Sequence, residues 1–168
     1  MVQEGFKMHG SIDAFTDSNE HVKRSKSRLG EKGYLKGVIV DIAYDHLLLQ
    51  NWEQYAKIDT TSFINEFYHK SESEIASYPK DAREFVQRLI KSRTLTSYSS
   101  FEGLEEAFRR IDNRLSKRIL AKETASGYMP ILKREMNAIE DDFLFFFPQL
   151  VAHFKSKSDL VMQNHWLK

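Results

Sequence analysis

The sequence has no cysteine, only three prolines and only seven glycines among its 168 residues. Without cysteine the chain has no disulfide framework, no thiolate metal ligand and no cysteine nucleophile, which is typical of a reducing compartment. The scarcity of proline and glycine leaves little material for the frequent tight turns of a sandwich or barrel. No apolar stretch reaches the length of a membrane span, and charges interrupt the N-terminal region where a signal peptide needs an apolar stretch. We therefore predict a soluble, cytoplasmic and mainly helical protein.

The chain also lacks a dominant charge of one sign, because 25 basic and 24 acidic residues leave a formal net charge of +1. This balance removes the bulk signal of a dedicated nucleic-acid binder, and we expect neither a nucleic-acid nor a membrane partner. Hydrophobic residues make up 41% of the chain and charged residues 29%, an ordinary globular composition. A chain of this length suits one hydrophobic core. We predict one helical domain over 1–154, followed by a C-terminal extension over 155–168 whose order the sequence does not determine.

Apolar residues recur at helical spacing almost throughout, which predicts an all-α, single-domain helical bundle. The clearest series is Leu132, Met136, Ile139, Phe143, Phe146, Leu150 and Phe154. Pro130 suits the first turn of that helix, whereas Pro148 is predicted to bend or interrupt it. A second helix is predicted from about Tyr34 to Asn51, and apolar residues cover most of its circumference, so we expect it to be central. A β-strand over 37–42 is the alternative, although the apolar content continues too far for one strand.

Two aspartates and a histidine, Asp41, Asp45 and His46, lie inside that apolar helix. Asp41 and Asp45 are four residues apart and so share one helical face. We expect these carboxylates to be surrounded by apolar side chains, where they lose hydration unless a cation, a metal or a donor network compensates. A second set with the same spacing precedes them, at His9, Asp13 and Asp17. The two acidic faces are predicted to meet.

Oxygen and nitrogen ligands without thiolate suit Mn²⁺, Mg²⁺, Fe²⁺ or Zn²⁺, and the excess of carboxylates favours the harder ions. Such a site polarises a phosphoryl group and lowers the pKa of bound water, so hydrolysis of a phosphoester is the predicted chemistry. A structural network is the alternative, in which Asp41 or Asp45 pairs with an arginine, and Asp13 and Asp17 are exposed acids near a helix end. The spacing alone favours the two interpretations equally.

Two segments resemble the acyl carrier protein phosphodiesterase family. The segment His-Gly-Ser-Ile-Asp-Ala-Phe-Thr-Asp-Ser from His9 resembles the family's His-Arg-x-Ile-Asp-x-Phe-Thr-Asp-x-His-Pro. The segment Val-Ile-Val-Asp-Ile-Ala-Tyr-Asp-His-Leu from Val38, followed by Trp52, resembles the family's Asp-x-x-Tyr-Asp-His-x-Leu helix and tryptophan. Weaker agreement continues through Phe-Glu-Gly-Leu at 101–104, Arg114 and the segment 142–148. The resemblance implies an HD-like helical fold and cleavage of the phosphodiester that joins 4′-phosphopantetheine to a serine of holo-acyl carrier protein.

The resemblance also implies the roles of individual residues. The predicted metal ligands are His9, Asp13, Asp41 and Asp45. The predicted metal is a divalent ion, Mn²⁺ first, with Mg²⁺ or Fe²⁺ as alternatives. The predicted catalytic residues are Asp45, His46 and Asp17.

The predicted partner is acyl carrier protein, which is acidic, so we expect a basic docking face. One basic run lies between the two acidic motifs, at Lys23, Arg24, Lys26, Arg28, Lys32 and Lys36. A second run, predicted on one late helix, comprises Arg109, Arg110, Arg114, Lys117, Arg118 and Lys122. Lys26, Arg28 and Arg114 are predicted to bind the phosphopantetheine phosphate. The alternative is an ordinary solvated face rich in lysine.

Three departures from the family pattern define the alternative function. Gly10 replaces the family's arginine, Asn19 and Glu20 replace its His-Pro, and this sequence begins after the Asn-Phe-Leu-Ala-His and Gly-Asp-Phe segments that relatives carry. We therefore expect either an internal start or a form without activity. The alternative is thus a catalytically inactive helical module that keeps carrier-protein binding. A phosphohydrolase acting on small phosphoesters is a third hypothesis.

Overall fold

The computed structural model describes residues 2–157 and 168, and this part of the chain is built from helices. Ten α-helices follow one another: α1 (Val2–Ser18), α2 (Glu20–Arg28), α3 (Lys36–Gln50), α4 (Trp52–Tyr55), α5 (Thr60–Glu74), α6 (Lys80–Ser92), α7 (Thr94–Ser97), α8 (Phe101–Asp112), α9 (Lys117–Leu120) and α10 (Met129–Lys157). The described residues include no β-strand, so the all-α prediction is confirmed and the strand alternative over 37–42 is wrong. No described helix is both long and apolar enough to cross a membrane.

Local capping sets several helix boundaries. The side chain of Asn19 accepts a hydrogen bond from the His21 amide and starts α2. Helix α5 begins after Asp59, whose side chain accepts a hydrogen bond from the Ser62 amide. Gly30 and Gly33, both with positive φ, lie between α2 and α3.

Helix α10 is the axis of the bundle and packs most extensively against α2, with further contacts to α1 and α3. Its buried side chains join those of α3 and α8 in one core, which includes Ile39, Val40, Ala43, Leu47, Leu104, Phe108, Leu132, Ile139, Phe143 and Phe146. Of the two outcomes predicted for Pro148, interruption of the helix is wrong, because α10 continues to Lys157, and a bend stays a prediction. Phe146, Phe147 and Leu150 pack against the core on both sides of the proline, and this burial offsets the lost backbone hydrogen bond.

Helix α3 buries most of its surface but keeps one open face. Seven of its residues are buried, in agreement with a central position. Asp41 and Asp45, however, are exposed, and Val38 on the same face is 38% exposed. The expectation that apolar side chains enclose the two carboxylates is therefore wrong. Helices α2, α8 and α10 contact α3, and Val38, Asp41 and Asp45 stay exposed.

The late basic run does not form one helix. Helix α8 ends at Asp112 and α9 begins at Lys117, so Arg114 lies in the connecting turn. The Asp112 carboxylate accepts hydrogen bonds from the amides of Ala125 and Ser126, at 2.5 Å and 3.1 Å, which ties the end of α8 to the segment before α10. The predicted extension over 155–168 lies mostly outside the described residues.

Candidate functional site

Four exposed carboxylates lie on α1 and α3 and form an acidic face. Asp13 and Asp17 are exposed on α1, and Asp41 and Asp45 are exposed on α3. Partial burial by the surrounding protein raises the pKa of Asp41, and the negative charges of Asp17 and Asp13 raise it further, whereas Lys26 lowers it. The four carboxylates named here are called the acidic face below. Because the charges of Asp13 and Asp17 act on Asp41, the two acidic motifs lie near each other, and their convergence on one ion stays a prediction.

Lys26 pairs with one carboxylate of this face, that of Asp17. Its Nζ lies 3.0 Å from Oδ1 of Asp17, and its Cε would lie 3.8 Å from a Cβ built on Gly37. The lysine side chain therefore extends from α2 across to the first turn of α3. This places a residue predicted to bind phosphate next to the carboxylates.

Asp45 has the most strongly raised pKa of the four carboxylates on the acidic face. The surrounding protein removes part of its hydration, and together with the charge of Asp41 this raises the pKa of Asp45 to about 7. Water still reaches the exposed side chain. We take from these two observations that Asp45 holds a proton more readily than an ordinary surface aspartate and can exchange it with solvent.

Asp45 also borders a cleft of about 800 Å³ between α3, α6, α7 and α8. The lining residues are Ile42, Asp45, Arg88, Leu89, Lys91, Leu95, Tyr98, Ala107, Arg110, Ile111 and Arg114. Four of them are cations, and Asp45 is the single acid. This cleft therefore combines a proton-exchanging carboxylate with a positively charged wall.

Tyr98 lines the cleft near Asp45, Arg110 and Arg114. Burial raises the pKa of its phenol, the charge of Asp45 raises it further, and Arg110 and Arg114 lower it. These effects require the phenol, the carboxylate and the two guanidinium groups to lie near one another. The structure thus brings Arg114, one of the predicted phosphate ligands, into the same cleft as Asp45.

His46 lies off the acidic face, in the core. It is buried, its Nδ1 lies 2.7 Å from the carbonyl oxygen of Tyr98, and its ring centroid lies 5.4 Å from that of Phe101. A carbonyl only accepts, so Nδ1 donates, and in the neutral ring Nε2 keeps its lone pair. The imidazole therefore fixes the backbone at Tyr98, and its predicted catalytic role stays a prediction.

Sequence reasoning missed the buried carboxylate of Asp142, which is 1% exposed. Its two oxygens accept from Arg24 at 3.3 Å and from Arg28 at 2.8 Å, and Ser25 donates to it at 3.2 Å. The hydroxyl of Ser25 also lies 2.9 Å from that of Tyr44 on α3. This network joins α10, α2 and α3. Arg28, predicted to bind phosphate, therefore has a structural partner inside the bundle.

A metal ion requires several ligand side chains that converge on one point. Among the described side chains, no three His, Asp or Glu residues converge closely enough to hold an ion. The side chain of His9 lies outside the described residues. Asn19, at the family's histidine position, caps α2 and donates to Gln149 at 3.1 Å. The described donors alone thus do not form a metal site.

The family model described as acyl carrier protein phosphodiesterase matches this chain over residues 1–150. The chain belongs to this family. A relative from Pectobacterium atrosepticum, named acyl carrier protein phosphodiesterase, is 24% identical over 156 residues, which are 91% of this chain and 78% of the relative. No solved structure matches the chain. The family confirms the resemblance seen in the sequence and makes the protein a phosphodiester hydrolase.

Proposed function

We propose that this protein hydrolyses the phosphodiester of holo-acyl carrier protein and releases 4′-phosphopantetheine in the cytoplasm, in a reaction that needs a divalent ion, Mn²⁺ first. The observation that carries the proposal is the position of Asp45, which lies both on the acidic face and at the edge of the basic cleft. The match to a family of phosphodiesterases supports the same chemistry.

The residues of the cleft suit the two demands of this reaction. Water forms a bond to phosphorus while the bond from phosphorus to the serine oxygen breaks, so the carrier regains its serine hydroxyl. Arg110 and Arg114 lie where positive charge can stabilise the phosphoryl oxygens as their negative charge grows. Asp45 borders the same cleft, so its carboxylate is placed to take a proton from the attacking water when it does not itself hold the ion.

The proposed metal dependence rests on the accumulation of carboxylates on the acidic face. A bound divalent ion supplies Lewis-acid polarisation of the phosphoryl group. The residues proposed to hold it are His9, Asp13, Asp41 and Asp45. Because the described donors do not converge, we expect weak binding of Mn²⁺ to the free protein and tighter binding when phosphate oxygens complete the coordination. Titration calorimetry with Mn²⁺, with and without product, measures both.

The decisive experiment uses holo-acyl carrier protein and mass spectrometry. With Mn²⁺ the carrier is expected to lose the mass of phosphopantetheine, and with EDTA it is expected to keep it. Asp45→Ala should lower the rate about 100-fold or more, since general acid–base groups contribute that much, whereas Glu66→Ala, an exposed carboxylate on α5, should not change it. Carrier binding without any loss of mass would instead support the inactive module. Cleavage of small phosphodiesters alone would support the third hypothesis.

We also propose that α2 and the turn after it dock the acidic carrier. Arg24, Lys26 and Arg28 already have carboxylate partners in this structure, so the docking role falls mainly to the exposed Lys23 and Lys32. Lys32→Glu should raise the KM for holo-carrier and weaken its salt dependence, because it reverses one charge of the encounter surface. A matched reversal on α5, Lys70→Glu, should leave both unchanged. Equal effects of the two variants would rule out a docking surface on α2.

A further inference from the structure

The cleft beside Asp45 is much larger than the bond-cleaving reaction requires. Its volume of about 800 Å³ lies within the range of small-molecule sites, whereas a phosphoryl group with its attacking water fills only a small part of that space. The cleft must therefore be judged by its whole lining, and not only by the groups nearest Asp45.

The lining divides into a charged part and an apolar part. The charged part contains Arg110 and Arg114 close to Tyr98, together with Arg88 and Lys91 from α6. The apolar part is formed by Ile42, Leu89, Leu95, Ala107 and Ile111. An inorganic anion alone would leave the apolar side chains against water. A ligand that carries a phosphate at one end of an uncharged body satisfies both parts.

The guanidinium of Arg110 is available for this contact. Its Nε lies 3.3 Å from the carbonyl oxygen of Glu106 and 3.8 Å from that residue's Oε1. A guanidinium has five N–H donors, so these contacts do not exhaust it. Arg109 shares the same Glu106, at 3.3 Å, but does not line the cleft. The two neighbouring arginines thus form a natural test pair.

We propose that this cleft binds the phosphopantetheine arm of the substrate, with its phosphate at Arg110 and Arg114 and its uncharged body against Ile42, Leu95 and Ile111. This assignment rests on the proposed function and specifies where the prosthetic group lies. It also makes the cleft a product site, because the released arm keeps the same phosphate and the same body. Free 4′-phosphopantetheine should therefore bind to the protein without any carrier and inhibit the reaction competitively.

Titration calorimetry at constant ionic strength tests this with three probes: 4′-phosphopantetheine, pantetheine without phosphate, and inorganic phosphate. We expect 4′-phosphopantetheine to bind at least about ten-fold more tightly than either fragment, since it alone fills both parts of the cleft. Arg110→Gln should weaken it about ten-fold, the cost of one charge-assisted contact, and Arg109→Gln should not. Leu95→Ala should weaken 4′-phosphopantetheine and pantetheine but not phosphate, whereas Leu120→Ala, on exposed α9, should change none of them.

Several results would overturn the assignment. Equal losses of affinity for Arg109→Gln and Arg110→Gln would mean that general positive charge attracts the ligand. Equal affinity for phosphate and 4′-phosphopantetheine would mean that the apolar part of the lining does not contribute to binding. Binding is measured without the carrier and without turnover. Cleavage of holo-carrier by a protein that fails these binding tests would reject the cleft and keep the proposed function. Binding as expected without cleavage of holo-carrier would keep the cleft assignment and reject the proposed function.

Discussion

Replacing Gly103 by alanine should destabilise the bundle, although alanine is the better helix former. Gly103 lies in the first turn of α8, where its amide donates to the Ser100 cap at 3.2 Å. A Cβ at this position would lie 1.6 Å from the carbonyl oxygen of Ser97 and 2.6 Å from its carbonyl carbon. Both obstacles are backbone atoms, so no side-chain rotation relieves the overlap. Ser97 at the end of α7 has to retreat by more than an ångström.

The expected magnitude follows from two opposing terms. Overpacking costs up to about 3 kcal/mol when the neighbour cannot rotate away, and the change from glycine to alanine in a helix returns about 1 kcal/mol. The net loss of about 2 kcal/mol corresponds to a fall in Tm of roughly 4–8 °C for a chain of this size. Tyr98 follows Ser97 directly and lines the cleft, so the rate of carrier cleavage should fall as well.

Gly10→Ala is the matched control, measured beside Gly103→Ala by calorimetry or by circular dichroism during heating. Gly10 also lies in a helix, α1, but a Cβ there meets nothing within 4 Å. We expect a gain of up to about 1 kcal/mol from helix propensity alone. If Gly103→Ala stabilised the protein as much as Gly10→Ala, the close approach of α7 to α8 would be refuted.

Three further predictions concern other sites. Asp142→Ala should lower the free energy of unfolding by about 3 kcal/mol because it leaves two arginines without their carboxylate. Asp141 is the exposed neighbour, and Asp141→Ala should cost less than about 0.5 kcal/mol in the same denaturant titration. Asp45→Asn should be more stable than wild type by about 1 kcal/mol at pH 8, after allowance for solvent screening, and equal to it near pH 4. The sign follows because folding raises the pKa from 3.8 to about 7, so wild-type stability falls across that interval; a constant difference would refute it. Gly33→Ala should lose more stability than Gly30→Ala. Both glycines have positive φ, but only a Cβ at Gly33 lies within 2.1 Å of a side-chain atom, the hydroxyl of Tyr128. Equal losses of stability would show that this overlap does not matter.

The helices were predictable because their causes are local. Apolar spacing gives the bounds of α3 to within a few residues. Helix continuity at Pro148 depends instead on packing of the flanking aromatic residues against distant helices, which spacing does not reveal. The same limit applies to the open face of α3. Its apolar composition indicates what can be buried, but the number of neighbouring helices decides what is buried.

Asp142 was missed although the sequence carries a signal for it. The residue lies three positions after Ile139 and four before Phe146, and both of these are buried. An aspartate on the apolar stripe of a helix needs a partner, so this spacing predicts a buried ion pair. Its partners Arg24 and Arg28 lie over a hundred residues earlier in the chain. Their identity depends on how α2 packs against α10, which no local pattern contains.

The Asp45–His46 pair shows why a shared motif does not mean a shared site. Consecutive residues on an α-helix point about 100° apart, since one turn takes 3.6 residues. Asp45 consequently faces the cleft, and His46 faces the core and binds the carbonyl of Tyr98. Both nevertheless act on Tyr98, one through the charge near its phenol and the other through its backbone. His46→Gln should therefore lower cleavage by displacing Tyr98 while leaving Mn²⁺ affinity unchanged. A large loss of Mn²⁺ affinity in a folded His46→Gln protein would instead make the imidazole a metal ligand and contradict this division of roles.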